Sequence, residues 1–190
     1  MINKIFCKKL KKEYLDYNNQ RKQIIAISNS ILHDSKRVIF ALHREDFIKA
    51  KKNLLEIEKN LGNAEKKFSF RRLCEEGAYK ACAEEYTEAK MFYLVLQGEK
   101  IDKLKNIKLN FDSYIGGICD LTGELVRFAI NKVSAREIQE VKKAKKIINQ
   151  IMTELAEFDM TGYMRTKYDQ AKSSLRKIEQ IDYEVNLKFQ

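Results

Sequence analysis

The chain has 190 residues, 44% of them hydrophobic, and its 37 Lys and Arg outnumber its 27 Asp and Glu to give a net charge of +10. This length suits one domain that buries enough core to fold without a disulfide or metal staple, and the composition is too apolar for a disordered chain. With no proline and only seven glycines, the chain lacks the turn residues of a β-sandwich or barrel. No alternation of strand and helix patterns is present, which leaves long helices in one all-α domain over residues 1–190.

Six helical segments are expected. The first runs from about Asn3 to His43, with Leu15, Ile24, Ile25, Ile27, Ile31, Leu32, Val38, Ile39 and Leu42 broadly at helical spacing. Its length lets it kink or extend beyond one compact bundle to a partner subunit. The second, about Glu45–Leu61, should stop at Gly62-Asn63. The third spans about Phe70–Leu96 and ends at Gly98. A basic loop, Gly98–Asn110, leads to a fourth helix with Asp112 as its N-cap, reaching about Asn131. Ser134-Ala-Arg-Glu137 matches a capping box and should start a fifth helix that runs to about Phe158. After a break at Asp159–Gly162, a sixth helix runs from Tyr163 to the end. One antiparallel bundle is the simplest organisation.

The longest uncharged apolar stretch, Met91–Leu96 with short flanks, is far below the ~20 residues of a membrane span. The opening MINKIFCKKLKKEYLDY lacks the apolar run of a signal peptide, so an intracellular, cytoplasmic protein is expected. Cys7, Cys74, Cys82 and Cys119 form no C-x-x-C and have no histidine at a zinc-finger offset, and reduced thiols are the expectation. The positive charge suggests a polyanionic partner, nucleic acid before an anionic membrane surface, which would favour a basic amphipathic segment at one end; no membrane partner is expected.

Two acidic pairs stand in unusual company. On the third helix the stripe Cys74, Ala78, Ala81, Glu85, Glu88, Phe92, Val95 is small or apolar except for its glutamates. The adjoining stripe Tyr79, Cys82, Tyr86, Ala89, Tyr93, Leu96 is largely apolar too. On the fourth helix, Asp120 and Glu124 project together beside the apolar stripe Tyr114, Ile118, Leu121, Leu125, Phe128. Gly116, Gly117 and Gly123 lie in that helix, each costing about 1 kcal/mol relative to Ala, which suggests close approach of another helix or a ligand backbone. Buried carboxylates need a cation or a proton. Four of them from two helices can form an oxygen-rich site for Mg²⁺ or Mn²⁺. Each pair taken alone reads first as structural, neutralised by nearby Lys90 or Arg127, and it is the apolar company of Glu85 and Glu88 that weakens that reading. A ferritin-like di-iron site would need E-x-x-H on two helices, which neither His33 nor His43 supplies. The same scarcity speaks against histidine-based RNA cleavage and leaves both as ordinary helix residues. Lys67, Arg71 and Arg72, at the start of the third helix, are candidates to hold a nucleic-acid backbone, the alternative being solvated surface charge.

With those residues placed, the sequence resembles the translin family, and more closely its translin-associated factor X branch. DSYIGGICDLTGELVRFAIN (Asp112–Asn131) resembles the branch pattern D-Y-x-x-G-x-x-D-L-T-G-E-L-x-R, and EYTEA (Glu85–Ala89) is similar to E-Y-x-E-A. DSKRVIFALHR (Asp34–Arg44) resembles S-K-R-x-I-F-x-L-H-R, and RTKYDQAKSSLRKIEQIDYEV is similar to the family's ending. The resemblance implies an all-α protomer of seven or so helices in a closed oligomer, usually an octamer, that encloses RNA. It further implies a Mg²⁺-dependent endoribonuclease in which Glu85, Glu88 and Asp120 carry catalysis and hold the metal. Glu124 would be a ligand or would orient a water, and Lys36 and Arg37 would contact phosphate. The chain lacks the long insert of eukaryotic members between the third and fourth helices, which implies a prokaryotic, archaeal-type homo-oligomer. The expected reaction is hydrolysis of an RNA phosphodiester to a 5′-phosphate and a 3′-hydroxyl. The alternative is a non-catalytic, translin-like shell that binds single-stranded RNA or DNA.

Overall fold

The computed structural model describes residues 2–105 and 107–188, and its elements are α1 Lys4–His43, α2 Phe47–Phe68, α3 Phe70–Cys74, α4 Gly77–Leu96, α5 Phe111–Ser134, α6 Ile138–Ala156 and α7 Gly162–Lys188. Seven helices and no strand are present among the described residues. α1 packs on α2 and α4, α4 packs on α5, and α5 packs on α6 and α7, so α4 and α5 form the spine of the bundle. Val38, Leu42, Leu54, Ile57, Tyr86, Phe92, Leu121, Leu125 and Ile148 are among its buried core. No helix among the described residues is long and apolar enough to cross a membrane.

The helix ends correct several expectations. α2 does not stop at Gly62; buried Leu61, Ala64 and Phe68 continue its apolar stripe, and that burial outweighs the ~1 kcal/mol glycine penalty. The helix ends instead at Ser69, whose φ of 63° leaves the helical region and whose hydroxyl accepts the Arg72 amide to open α3. The expected third helix is thus divided into α3 and α4, with the break at Glu75-Glu76. Asn110, not Asp112, caps α5, accepting the Ser113 amide at 3.0 Å. The expected capping box is absent. Ser134 still belongs to α5, where its hydroxyl donates to the Ile130 carbonyl at 3.3 Å. Arg136 makes the turn at φ 63°, and the Glu137 carboxylate pairs with Lys132 at 2.9 Å instead of closing a cap. Gly98 sits at φ +77° just past α4, where the chain was expected to turn. Of the Gly98–Asn110 loop, Asn106 lies outside the described residues. The rest is tied down by the Leu104 amide donating to the Tyr114 hydroxyl at 2.9 Å. The four cysteines are free thiols, Cys82 and Cys119 buried.

The first half of α1 projects past the bundle. Nearly every residue from Lys4 to Gln23 is exposed, including Ile5, Phe6, Leu10, Tyr14 and Leu15. Arg72 clamps the root of this arm. Its guanidinium stacks 4.0 Å from the Tyr17 ring centroid and donates to Glu76 at 2.9 Å.

Candidate functional site

The spacing of α4 and α5 is set by two glycines. A Cβ on Gly117 would stand 2.7 Å from the Thr87 Cβ and 2.9 Å from the backbone nitrogen of Glu88, so the helix backbones meet at the acidic residues themselves. A Cβ on Gly116 would fall 2.1 Å from Oε2 of Glu84, which lies folded across α5 at that point. The close approach expected of the three glycines is therefore real for two. Around Gly123 the nearest atom is the Ser174 hydroxyl, at 4.0 Å.

This contact brings together the carboxylates singled out in the sequence. Glu88 is 7% exposed, and Glu85, Asp120 and Glu124 are half-buried around it. Burial, reinforced by the charges of Asp120, Glu85 and Glu124, pushes the Glu88 carboxyl up to about 9. Burial also raises Glu85, with Asp120 and Glu124 adding to the shift and Lys36 and Lys167 opposing it. Asp120 is raised by burial against a hydrogen bond from Lys167. Side chains that shift one another in this way share one low-dielectric region.

Two other helices complete the site with residues that sequence reasoning missed. From α7, the Lys167 ammonium lies 2.8 Å from Oε1 of Glu84 and 2.5 Å from Oδ2 of Asp120. The Tyr163 hydroxyl donates to Glu84 at 2.7 Å. At the end of α1, Nε2 of His43 meets Oε2 of Glu124, while its buried Nδ1 has no partner among the described residues. The ring packs against Phe92, centroids 5.1 Å apart. His43 therefore belongs to the site and is not an ordinary helix residue; His33 is exposed. Lys36, two turns before His43, is the basic residue of α1 whose charge acts on Glu85. Of the expected neutralisers, Arg127 reaches Glu124 at 3.6 Å, whereas Lys90 pairs with Glu58.

The remaining basic candidates lie elsewhere. Arg37 is exposed and pairs with Asp34 at 3.1 Å. Lys67 and Arg71 are exposed at the α2–α3 corner, and Arg72 is committed to Glu76 and the Tyr17 ring. None of these four is among the charges that shift Glu85, Glu88 or Asp120.

The donor chemistry fits a hard divalent cation. Glu85, Glu88, Asp120 and Glu124 offer only carboxylate oxygens, and buried Glu88 has no hydrogen-bonded cation among the described residues. The ligands have not converged, however. Among the described residues no three Asp, Glu, His or Cys side chains already form a metal constellation. Asp120 is held by Lys167 and Glu124 by His43.

The Glu88 shift gives a pH prediction for the metal-free protein. Between the ordinary 4.5 and about 9, folded Glu88 keeps a proton that the unfolded chain has lost. Stability should therefore fall as pH rises through that window, by up to about 1.4 kcal/mol per pH unit from this group. Raised Glu85 and Asp120 act in the same direction. Urea denaturation in EDTA at several pH values should show this decline, and Glu88→Gln should flatten it. An equal slope in the variant would remove Glu88 as its source.

A helical bundle whose two central helices press a buried acidic cluster against each other is the class that fold and site define. The translin family profile matches residues 19–188, and the chain belongs to that family. Among its relatives, the translin-associated protein X homolog of Schizosaccharomyces pombe is 27% identical over 209 residues, covering 92% of this chain and 87% of that one. An uncharacterised Methanocaldococcus jannaschii protein is 25% identical over 83% of this chain and 72% of its own length. Chicken translin is 25% identical over only 48% of this chain and 40% of its own. In architecture the chain is similar to apo-NeC3PO, at a TM-score of 0.86 and 21% identity over 97% of this chain and 98% of that one. It is equally similar to AfC3PO in a duplex RNA complex, at 0.86 and 16% identity over 96% and 97%.

Proposed function

We propose that the protein is a Mg²⁺- or Mn²⁺-dependent endoribonuclease that binds RNA through its backbone and works as a homo-oligomer. The carrying observation is Glu88, buried at the α4–α5 contact with no cation bonded to it among the described residues and with Glu85, Asp120 and Glu124 close enough to raise its carboxyl. The near full-length likeness to a translin-associated protein X homolog supports the reading, as does the fold shared with a protein solved on duplex RNA.

Glu85, Glu88 and Asp120 would hold the ion. Its contribution when bound is to lower the pKa of a water and to neutralise charge on the phosphate under attack. Glu124, paired with His43, would be a further ligand or would orient the attacking water. Lys36 is the cation best placed to hold a phosphate beside the acidic cluster, and such contacts bring no sequence preference. Arg37, Lys67 and Arg71, all exposed, would serve RNA farther from the reacting phosphate, whereas Arg72 is taken up by Glu76 and the Tyr17 ring.

Purified protein should cut single-stranded RNA with Mg²⁺ or Mn²⁺, leave 5′-phosphates, and fall silent in EDTA. Cutting that persists in EDTA would refute the reading. The Lys167–Asp120 ion pair, which already neutralises one of the expected ligands, favours a second reading: a non-catalytic holder of single-stranded RNA or DNA. That protein would show salt-sensitive binding and no cleavage in the same assay.

The exposed apolar side chains on the arm of α1 support the homo-oligomer, with an octamer as the expected size. Exposed Phe6, Leu10 and Tyr14 recur at helical spacing and gain from burial against another copy. Light scattering should show a large assembly, and Phe6→Ser with Leu10→Ser should shrink it. A wild-type monomer at micromolar concentration would discard the oligomer.

A further inference from the structure

We propose that Lys167 is a built-in counter-cation of the acidic site, and that Glu84 receives it when Asp120 turns to a divalent ion. The inference rests on the metal-dependent reading above and concerns two residues that reading leaves without a role.

Lys167 is held from both sides. Its ammonium lies 2.5 Å from Asp120 and 2.8 Å from Glu84, and its side chain is 14% exposed, with Glu84 at 13%. An ammonium and a divalent ion cannot share one carboxylate oxygen at ligand distance, because their repulsion in a partly dry site is large. Entry of the ion at Oδ2 therefore requires Lys167 to leave that oxygen. It need not leave the site, because Glu84 already holds the other side of the same ammonium. Moving fully to Glu84 breaks one charge-assisted hydrogen bond and keeps the other.

Glu84 is built to receive it. The carboxylate is fixed by the Tyr163 hydroxyl, one turn before Lys167 on α7. It lies over Gly116, where any side chain would displace it. The Lys167 ammonium also stands 5.4 Å from the centroid of the Tyr163 ring, so the residue that fixes Glu84 flanks the cation as well. In this arrangement Lys167 offsets the repulsion among the acidic side chains while the site is empty and remains available to neutralise Glu84 once it is filled. Lys167 and Glu84 are thus positioning residues that act through Asp120.

Titration of the whole protein with Mn²⁺, followed by calorimetry and by the electron paramagnetic resonance of free Mn²⁺, tests this without any assay of cleavage. Lys167→Met should bind Mn²⁺ at least about fivefold more tightly than wild type, and Lys167→Arg should stay within about twofold. Lys36→Met removes the same charge near Glu85 without freeing Asp120, and should tighten binding by less than about twofold. Glu84→Gln leaves Lys167 wholly on Asp120 and should weaken binding by about threefold or more, which keeps the test valid if Lys167→Met folds poorly. Unchanged or weaker binding in Lys167→Met overturns the proposal, as does equal tightening in Lys36→Met or unweakened binding in Glu84→Gln. If wild type binds Mn²⁺ and these contrasts fail, only the counter-cation role is lost. If neither wild type nor Lys167→Met binds Mn²⁺ at millimolar concentration, the metal-dependent reading falls with it.

Discussion

Glu88→Gln is expected to lower RNA cleavage by on the order of 10²–10³-fold while leaving RNA affinity and its salt dependence unchanged. The substitution is close to isosteric, so the packing between α4 and α5 survives. In the metal-free protein it is also electrostatically mild, because a carboxyl pushed up to about 9 is already largely protonated at pH 7. What Gln cannot do is become an anion when a divalent ion arrives. It cannot supply the negative oxygen that offsets the ion's lost hydration. RNA affinity should hold because no basic side chain is removed. The cleavage assay should be run beside a filter-binding titration over a range of salt. Retained turnover would take Glu88 out of the site, whereas loss of both cleavage and binding would mean that it supports the RNA surface and not the chemistry.

Gly117 and Gly123, six residues apart on α5, should respond to substitution with opposite signs. Ala is a better helix former than Gly by about 1 kcal/mol, and at Gly123 nothing opposes that gain. Gly123→Ala should therefore stabilise the fold by up to about 1 kcal/mol. At Gly117 a new Cβ runs into the Thr87 side chain and the Glu88 backbone nitrogen, at 2.7 and 2.9 Å. A backbone atom inside a long helix cannot turn away as a side-chain tip can, so α4 must shift. Gly117→Val should cost about 2–3 kcal/mol through overpacking. Because the shift falls at Glu88, cleavage should drop more than stability alone explains. Urea denaturation of both variants, with cleavage measured well below the transition, checks the pair. A neutral Gly117→Val would show that the helices are not closely pressed together there.

The three glycines show how far a sequence can be read. Their concentration in one helix reveals that something comes close, yet which of them it approaches depends on the rotation of α4 against α5, which no local pattern encodes. The helix ends tell the same story. Gly62 has the residue type of a stop signal, but it lies opposite the buried stripe of α2 and is carried through by its neighbours. Ser134 and Glu137 have the spacing of a cap, but Ser134 is already used by the helix before it.

The site divides along the same line. Glu85 with Glu88, and Asp120 with Glu124, are visible as pairs because residues three or four apart on a helix share a face whatever the helix packs against. Glu84 stayed hidden because it belongs to neither stripe and is ordinary until Gly116 lets it fold inward. His43, Tyr163 and Lys167 stayed hidden because their partners stand 81, 79 and 47 positions away in the chain. The sequence by itself therefore determined the all-helical class, the two acidic faces and the basic character. Each follows from composition or from a periodicity that repeats within one turn. Only the tertiary structure decided what faces those carboxylates: a lysine on Asp120, a histidine on Glu124 and, among the described residues, no bonded cation on Glu88. Helix packing sets those encounters, and it depends on the shapes of whole surfaces rather than on the spacing within any one segment.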